Sequence, residues 1–198
     1  MMGVHGTKIQ WGAAAPEDRY RSVLLLPGKL LYQLDTINEI MRHVCDANPT
    51  PIGLHRWIMH RYGCKMVTAR IARATLERAN LLRTTAAGCV VLTLDGEAYW
   101  ASKNTSIVAA SFLDTFWGFA ELVRLIDQSE HENGAAFQES LFECWRQAFL
   151  ECYGYNRKPI TDRSQFRAVL SYLVSFGLIE TSDVNAELKL THLAPIGN

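Results

Sequence analysis

Apolar residues return every three or four positions over Leu30, Leu34, Ile37, Met41 and Val44, which marks one face of a helix. Two heptads are too few to found a coiled coil, so the stripe predicts a helix packed on a core. It is expected to end at "DANPTP", because a residue before proline leaves the helical region. Thr50 then offers an oxygen to the first free amides, with Pro51 at the first helical position, predicting a second helix through about Tyr62. Leu54, Trp57 and Ile58 are expected inside, Arg56 and His60 outside. Gly63 turns the chain into a third helix within "CKMVTARIARATLERANLLR", residues 64–83. Here Ala69, Ala72, Leu76 and Ala79 share one side, flanked by Ile71, and Arg70, Arg73 and Glu77 lie opposite. Strands near 82–85 and 89–93, joined through "AAG", then predict a hairpin. "LTLDGEAYW" leads from the second strand into another helix, with Asp95 as its expected cap.

The second half repeats this order with different side chains. Phe116, Phe119, Val123 and Ile126 predict a helix, followed by a polar break at "DQSEHENG". A longer helix is expected over about 135–153, with Phe137, Leu141, Cys144, Ala148 and Cys152 on one stripe and Phe142 and Phe149 on another. Asp162 is expected to cap a further helix that turns Phe166, Val169, Leu170 and Leu173 inward and stops at Gly177. "LIETSDVNAELKLTHL" reads as a closing hairpin. The start of the chain, Gly- and Ala-rich, is expected to be mobile up to about Arg21, with "SVLLL" as a possible extra strand.

Three helices, the last two joined by a glycine turn, followed by a two-stranded hairpin, resemble a winged helix-turn-helix domain. The resemblance rests on "TPIGLHRWIMHRYGCKMVTARIARATLERANLL" followed by "CVVLTLDGEAYW", and covers roughly residues 28–102. MarR-like regulators close their wings with a similar L-T-x-x-G pattern. "FRAVLSYLVSFGLIE" resembles the third helix of a second such unit. The expected fold is therefore mainly helical with small β-hairpins, a tandem winged-helix protein. Its expected parts are a flexible segment 1–27, a DNA-binding module 28–102, and an assembly module 103–198, meeting near 103–112.

Net charge is zero, and that average conceals an asymmetry. Residues 1–100 carry 12 Lys or Arg against 8 Asp or Glu, whereas residues 101–198 carry 8 against 12. Within 50–85 seven basic residues face the single acid Glu77, the local form that an anion-binding surface takes. In a winged helix the third helix enters the major groove and the hairpin lies over the backbone, so the resemblance implies Arg70 and Arg73 as side chains reaching bases or phosphate. Arg56, Arg61, Lys65 and Arg83 suit phosphate positioning. The competing reading is an ordinary solvated basic face, and Glu77 on the same side favours it.

In the second hairpin Glu180, Asp183 and Glu187 would repel phosphate, so protein contact is the expectation there. Trp117, Phe142, Trp145 and Phe149 exceed what a small core needs and are candidate interface residues, between modules or between chains. A single thick core would account for them equally well. Five cysteines without a CxxC pair fit reduced, mostly buried thiols rather than disulfides or zinc. No apolar run is long enough for a membrane span, and no export signal is read at the start. Asp162, Glu187 and Lys189 superficially resemble the D…E-x-K constellation of metal-dependent nucleases, but the flanking elements do not suit it. No phosphate loop, nucleophile elbow or H-E-x-x-H is present. The expected function is thus a cytoplasmic, nucleoid-associated protein that binds double-stranded DNA, not an enzyme, without cofactor, metal or small-molecule ligand. It would assemble as a homodimer or within a larger complex, as a transcription regulator or a subunit of a DNA-processing machine. The alternative is a protein-interaction adaptor of the kind that serves SMC–kleisin complexes.

Overall fold

In a computed structural model, residues 15–129, 135–155, 157–181 and 188–190 are described. A 3-10 turn at Pro16–Asp18 precedes α1 (Gln33–Ala47), α2 (Pro51–Tyr62), α3 (Met66–Arg78), β1 (Leu82–Thr84) and β2 (Val90–Leu92). Then come α4 (Leu94–Ser102), α5 (Thr105–Thr115), α6 (Phe119–Gln128), α7 (Ala135–Tyr153), α8 (Pro159–Ser175), β3 (Ile179–Thr181) and β4 (Leu188–Leu190). The protein is mainly helical, with two antiparallel two-stranded hairpins among the described residues. Leu82 pairs with Leu92 and Thr84 with Val90 in the first, and Ile179 pairs with Leu190 in the second. Three helices followed by a hairpin occur twice, as α1–α3 with β1–β2 and as α6–α8 with β3–β4.

Local signals set most boundaries in the first half. The Thr50 hydroxyl oxygen accepts from the Gly53 amide at 3.2 Å and Pro51 opens α2, while Gly63 closes it at φ 61°, a left-handed angle that costs glycine little. Ile37, Met41 and Val44 are buried as the stripe predicted, with Ile40 beside them. α1 starts at Gln33 rather than Leu30, because the buried Gln33 carboxamide holds the approach. Its Oε1 accepts from the Leu26 amide at 2.8 Å and its Nε2 donates to the Lys29 carbonyl at 3.1 Å. The expected Asp95 cap is corrected to Thr93, whose hydroxyl accepts from the Gly96 amide at 3.1 Å. Asp95 instead accepts from Asn80 Nδ2 at 2.7 Å.

The expected junction at 103–112 spans the break between α4 and α5 at Lys103–Asn104 and the first turns of α5. α5 turns Val108, Ala109, Phe112 and Leu113 inward, and one continuous apolar cluster joins both halves. The helix expected across Phe116–Ile126 divides at Gly118, whose φ of 101° breaks the helical path. Asp162 does not cap α8, which begins at Pro159, and it is buried.

The segment expected to be flexible over 1–27 is, from Arg19 onward, a strap tied to both halves. Buried Arg19 pairs with buried Glu121 on α6 at 3.2 Å, and the Tyr20 amide donates to the Thr115 carbonyl at 2.8 Å. The Val23 amide donates to Gln165 Oε1 at 2.9 Å, and Tyr172 Oη donates to the Leu24 carbonyl at 2.9 Å. Val23 and Leu26 sit in the core, so the strap is held by burial as well as by polar contacts. "SVLLL" forms no strand; its backbone groups at Val23, Leu24 and Leu26 are paired with side chains.

Candidate nucleic-acid interface

The small residues of α3 bring it close to α2. Ala69, Ala72, Thr75 and Leu76 are buried along one side, leaving Val67, Arg70, Arg73, Glu77 and Arg78 on the outer arc at varied exposure. Arg73 leans off that arc. Its Nε donates to His55 Nε2 on α2 at 3.0 Å, and its Nη1 donates to Glu77 Oε1 at 2.6 Å and to Thr84 Oγ1 on β1 at 3.4 Å. Thr84 Oγ1 donates to the same Glu77 oxygen at 3.0 Å. One guanidinium therefore joins α2, α3 and the hairpin. To accept from Arg73, the His55 imidazole must be neutral with its proton on Nδ1, which is buried without a partner among the described residues. Burial, then the nearby Arg73 and Arg70 charges, hold His55 below its ordinary pKa, in agreement with that neutral form. The base-reading role expected for Arg73 therefore competes with bonds that hold its Nε and Nη1 within the fold.

Arg61 is likewise engaged. Its Nε and Nη2 donate to the two oxygens of Glu39 on α1 at 2.9 and 2.6 Å, and Tyr62 Oη donates to Glu39 Oε2 at 2.8 Å. These bonds, the Arg61 pair foremost, pull the Glu39 carboxyl down to about 2. The Arg61 charge is matched by a carboxylate, so a phosphate there would have to compete with Glu39 for the guanidinium. Arg56 on α2, Lys65 at the N-cap of α3, Arg70 on α3 and Arg83 on β1 are all exposed, and they form no hydrogen bond or ion pair among the described residues. Glu77 loses its weight as an opposing charge, since Arg73 neutralises it at contact distance. These four charges thus remain uncompensated on the helix–helix–hairpin unit, and a fifth exposed cation there, Arg78, stacks over the Tyr20 ring at 4.5 Å. An open cleft of about 320 Å³ between α1 and α2, lined by Glu39, Arg42, His43, Asp46, Trp57 and Arg61, adds charges of both signs.

The chain matches no protein-family model, no curated protein and no solved structure.

The four candidate interface aromatics belong to the interior. Trp145 is fully buried, Phe149 is 1 % exposed, Trp117 2 % and Phe142 4 %. Trp117 meets Trp145 at 4.9 Å and Phe149 at 5.0 Å between ring centroids, and Phe142 meets Phe166 edge-on at 5.6 Å. Trp145 Nε1 donates to the Gly118 carbonyl at 3.0 Å, which satisfies its one polar atom. The surplus of aromatics is used between α6, α7, α8 and the strap, so the interface assignment is corrected. The cysteine expectation also changes: Cys45 and Cys144 are exposed, and the other three are partly exposed, all as free thiols.

Of the nuclease-like constellation, Asp162 is 1 % exposed and lies 3.8 Å from the Arg157 guanidinium, which sits over the Phe149 ring at 3.6 Å. Burial raises the Asp162 carboxyl pKa, and both its oxygens lack hydrogen bonds among the described residues. That carboxylate is closed to a phosphodiester. Lys189 lies on β4, while Glu187 and Asp183 fall outside the described residues. Among the described residues no group of three or more His, Cys, Asp or Glu is placed to hold a metal, and no helix is long and apolar enough to cross a membrane.

His55 and Glu39 are the contributors that sequence reasoning missed. His55 had a signal, since it lies between Leu54 and Ile58 on the inward arc of α2. Glu39 had none, because it is separated from Arg61 by 22 positions.

Proposed function

We propose that this chain is a tandem winged-helix protein that binds double-stranded DNA through residues 28–102 and does no chemistry on it. In this reading α3 enters the major groove and the β1–β2 hairpin lies along the backbone. The second half, 103–198, serves assembly with another copy or with a larger complex, using its outer surface rather than its buried aromatics. A cytoplasmic, nucleoid-associated regulator or a subunit of a DNA-processing machine fits this arrangement. One observation carries the reading. Arg56, Lys65, Arg70 and Arg83, from two helices, a helix cap and the hairpin, keep their charges uncompensated, while the acid among them is neutralised by Arg73.

Four such contacts imply a log–log dependence of affinity on salt with a slope of about −3.6 for duplex DNA. Binding of the full chain to random duplex, titrated at several salt concentrations, tests this. A slope near that value, falling by about 0.9 in Lys65→Ala, is the expected result. No binding at low salt, or a slope near zero, refutes the DNA reading and favours the adaptor.

A further inference from the structure

The outer row of α3 mixes one available cation with an exposed aliphatic residue. Val67, in the first turn, is 59 % exposed, more than any other large apolar residue on the first three helices. Arg70 follows three positions on, exposed, and half-buried Ala74 completes the row. Nothing in the helix itself requires valine there, since β-branched residues lose side-chain freedom in helices. The other two charged groups nearby, Arg73 and Glu77, spend their hydrogen bonds on each other, on His55 and on Thr84. One oxygen of the acid and two nitrogens of the second guanidinium are therefore held within the fold. Toward the start of α3 the face that remains has one bidentate donor, Arg70, and one small hydrocarbon surface, while Arg78 in the last turn stacks over Tyr20 at 4.5 Å.

Those two chemistries match two features of the major groove. A guanidinium pairs with guanine O6 and N7, and an aliphatic group contacts the thymine C5-methyl. We infer that α3 reads a guanine through Arg70 and a thymine methyl through Val67, so that the preferred duplex holds G and T within one or two base steps. The spacing follows from geometry: three residues advance about 4.5 Å along a helix, against about 3.4 Å per base step in DNA. This inference rests on the DNA-binding reading and adds to it a base preference and the residue that sets it. The Val67 methyls would be half-dehydrated against the thymine methyl, and Lys65, next to the first turn, would hold phosphate without choosing sequence.

Thymine-to-uracil replacement tests the inference, because it removes the methyl and leaves every hydrogen-bonding atom in place. Full-length protein selects duplexes from a random pool, and each thymine of the enriched site is replaced singly by deoxyuridine. Wild type is expected to lose about fourfold in affinity at one position, the value of one buried methyl. Val67→Ala should bind the thymine and uracil duplexes alike, and Arg70→Ala should lose preference for the neighbouring guanine. Circular dichroism checks that both variants fold, which exposed positions permit. Salt-dependent binding by wild type with equal affinity for thymine and uracil at every position overturns the inference while leaving the DNA reading intact. An enriched site without G and T within two steps does the same. Absence of any duplex binding by wild type removes both.

Discussion

Arg70 and Arg73 lie on the same helix three residues apart, yet their environments predict opposite losses on truncation. Arg73→Ala removes an i,i+4 ion pair at 2.6 Å whose partners are each about one-quarter exposed, and a bond to buried His55 at 3.0 Å. Helix ion pairs of this kind contribute about 0.3–0.5 kcal/mol, and a hydrogen bond from a charged donor at least about 1.5 kcal/mol. His55 Nε2 is then left buried without its donor, an additional penalty. A total near 2 kcal/mol follows, or a fall in Tm of about 4–8 °C for a chain of this size. Arg70→Ala removes an exposed side chain with no hydrogen bond or ion pair among the described residues, so its stability change should stay within about 0.5 kcal/mol. Duplex affinity should move the other way, with Arg70→Ala costing about 1–3 kcal/mol at one base position. Thermal melts and salt-resolved binding on both single variants provide the assay. If Arg73→Ala leaves Tm unchanged and abolishes base preference, Arg73 reads DNA and its bonds to His55, Glu77 and Thr84 do not support the fold. If Arg70→Ala melts as early as Arg73→Ala, the surface assignment of Arg70 falls.

Gly118→Ala should destabilise by about 2–4 kcal/mol, combining overpacking with a left-handed angle. Its φ is 101°, and an added Cβ would lie 2.7 Å from Trp145 Cζ2 inside a fully buried ring. Trp145→Ala should cost about 3–5 kcal/mol in urea unfolding; a shift toward monomer in sedimentation with stability unchanged would contradict the burial described for it. For pH, the His55 pKa is depressed in the folded state. The unfolded chain therefore takes up a proton first as pH falls below the ordinary value of 6.5, and stability declines from there down to the folded pKa. His55→Gln, which keeps an acceptor for Arg73, should flatten the Tm–pH curve between pH 7 and 5. His43, depressed chiefly by its burial, has the same sign, so the slope should shrink rather than vanish. An unchanged slope would mean that His55 does not carry that acid sensitivity.

Periodicity, caps and turns depend on residues a few positions apart, which is why α1–α3, the Thr50–Pro51 start, the Gly63 turn and the first hairpin were legible in the chain. The same holds for the excess of positive charge over 50–85. Three kinds of fact were not legible. Whether an arginine is available to a ligand depends on which carboxylate folding delivers to it. Glu39 reaches Arg61 from another helix, and Glu77, a helical neighbour of Arg73, acts with His55 and Thr84 from two other elements. Aromatic surplus looks identical in sequence whether it awaits a partner or another element of the same chain. Only the packing of α6, α7 and α8 decided that Trp117, Phe142, Trp145 and Phe149 are core. A Gly- and Ala-rich start suggested slack, but the residues that tie the strap, Glu121, Gln165 and Tyr172, lie more than 100 positions away. The sequence by itself determined where helices and hairpins form and where basic residues concentrate, because those depend on local backbone preference and composition. Tertiary structure decided which charges remain uncompensated and which hydrophobic faces are already covered, because both are properties of contacts between segments far apart in the chain.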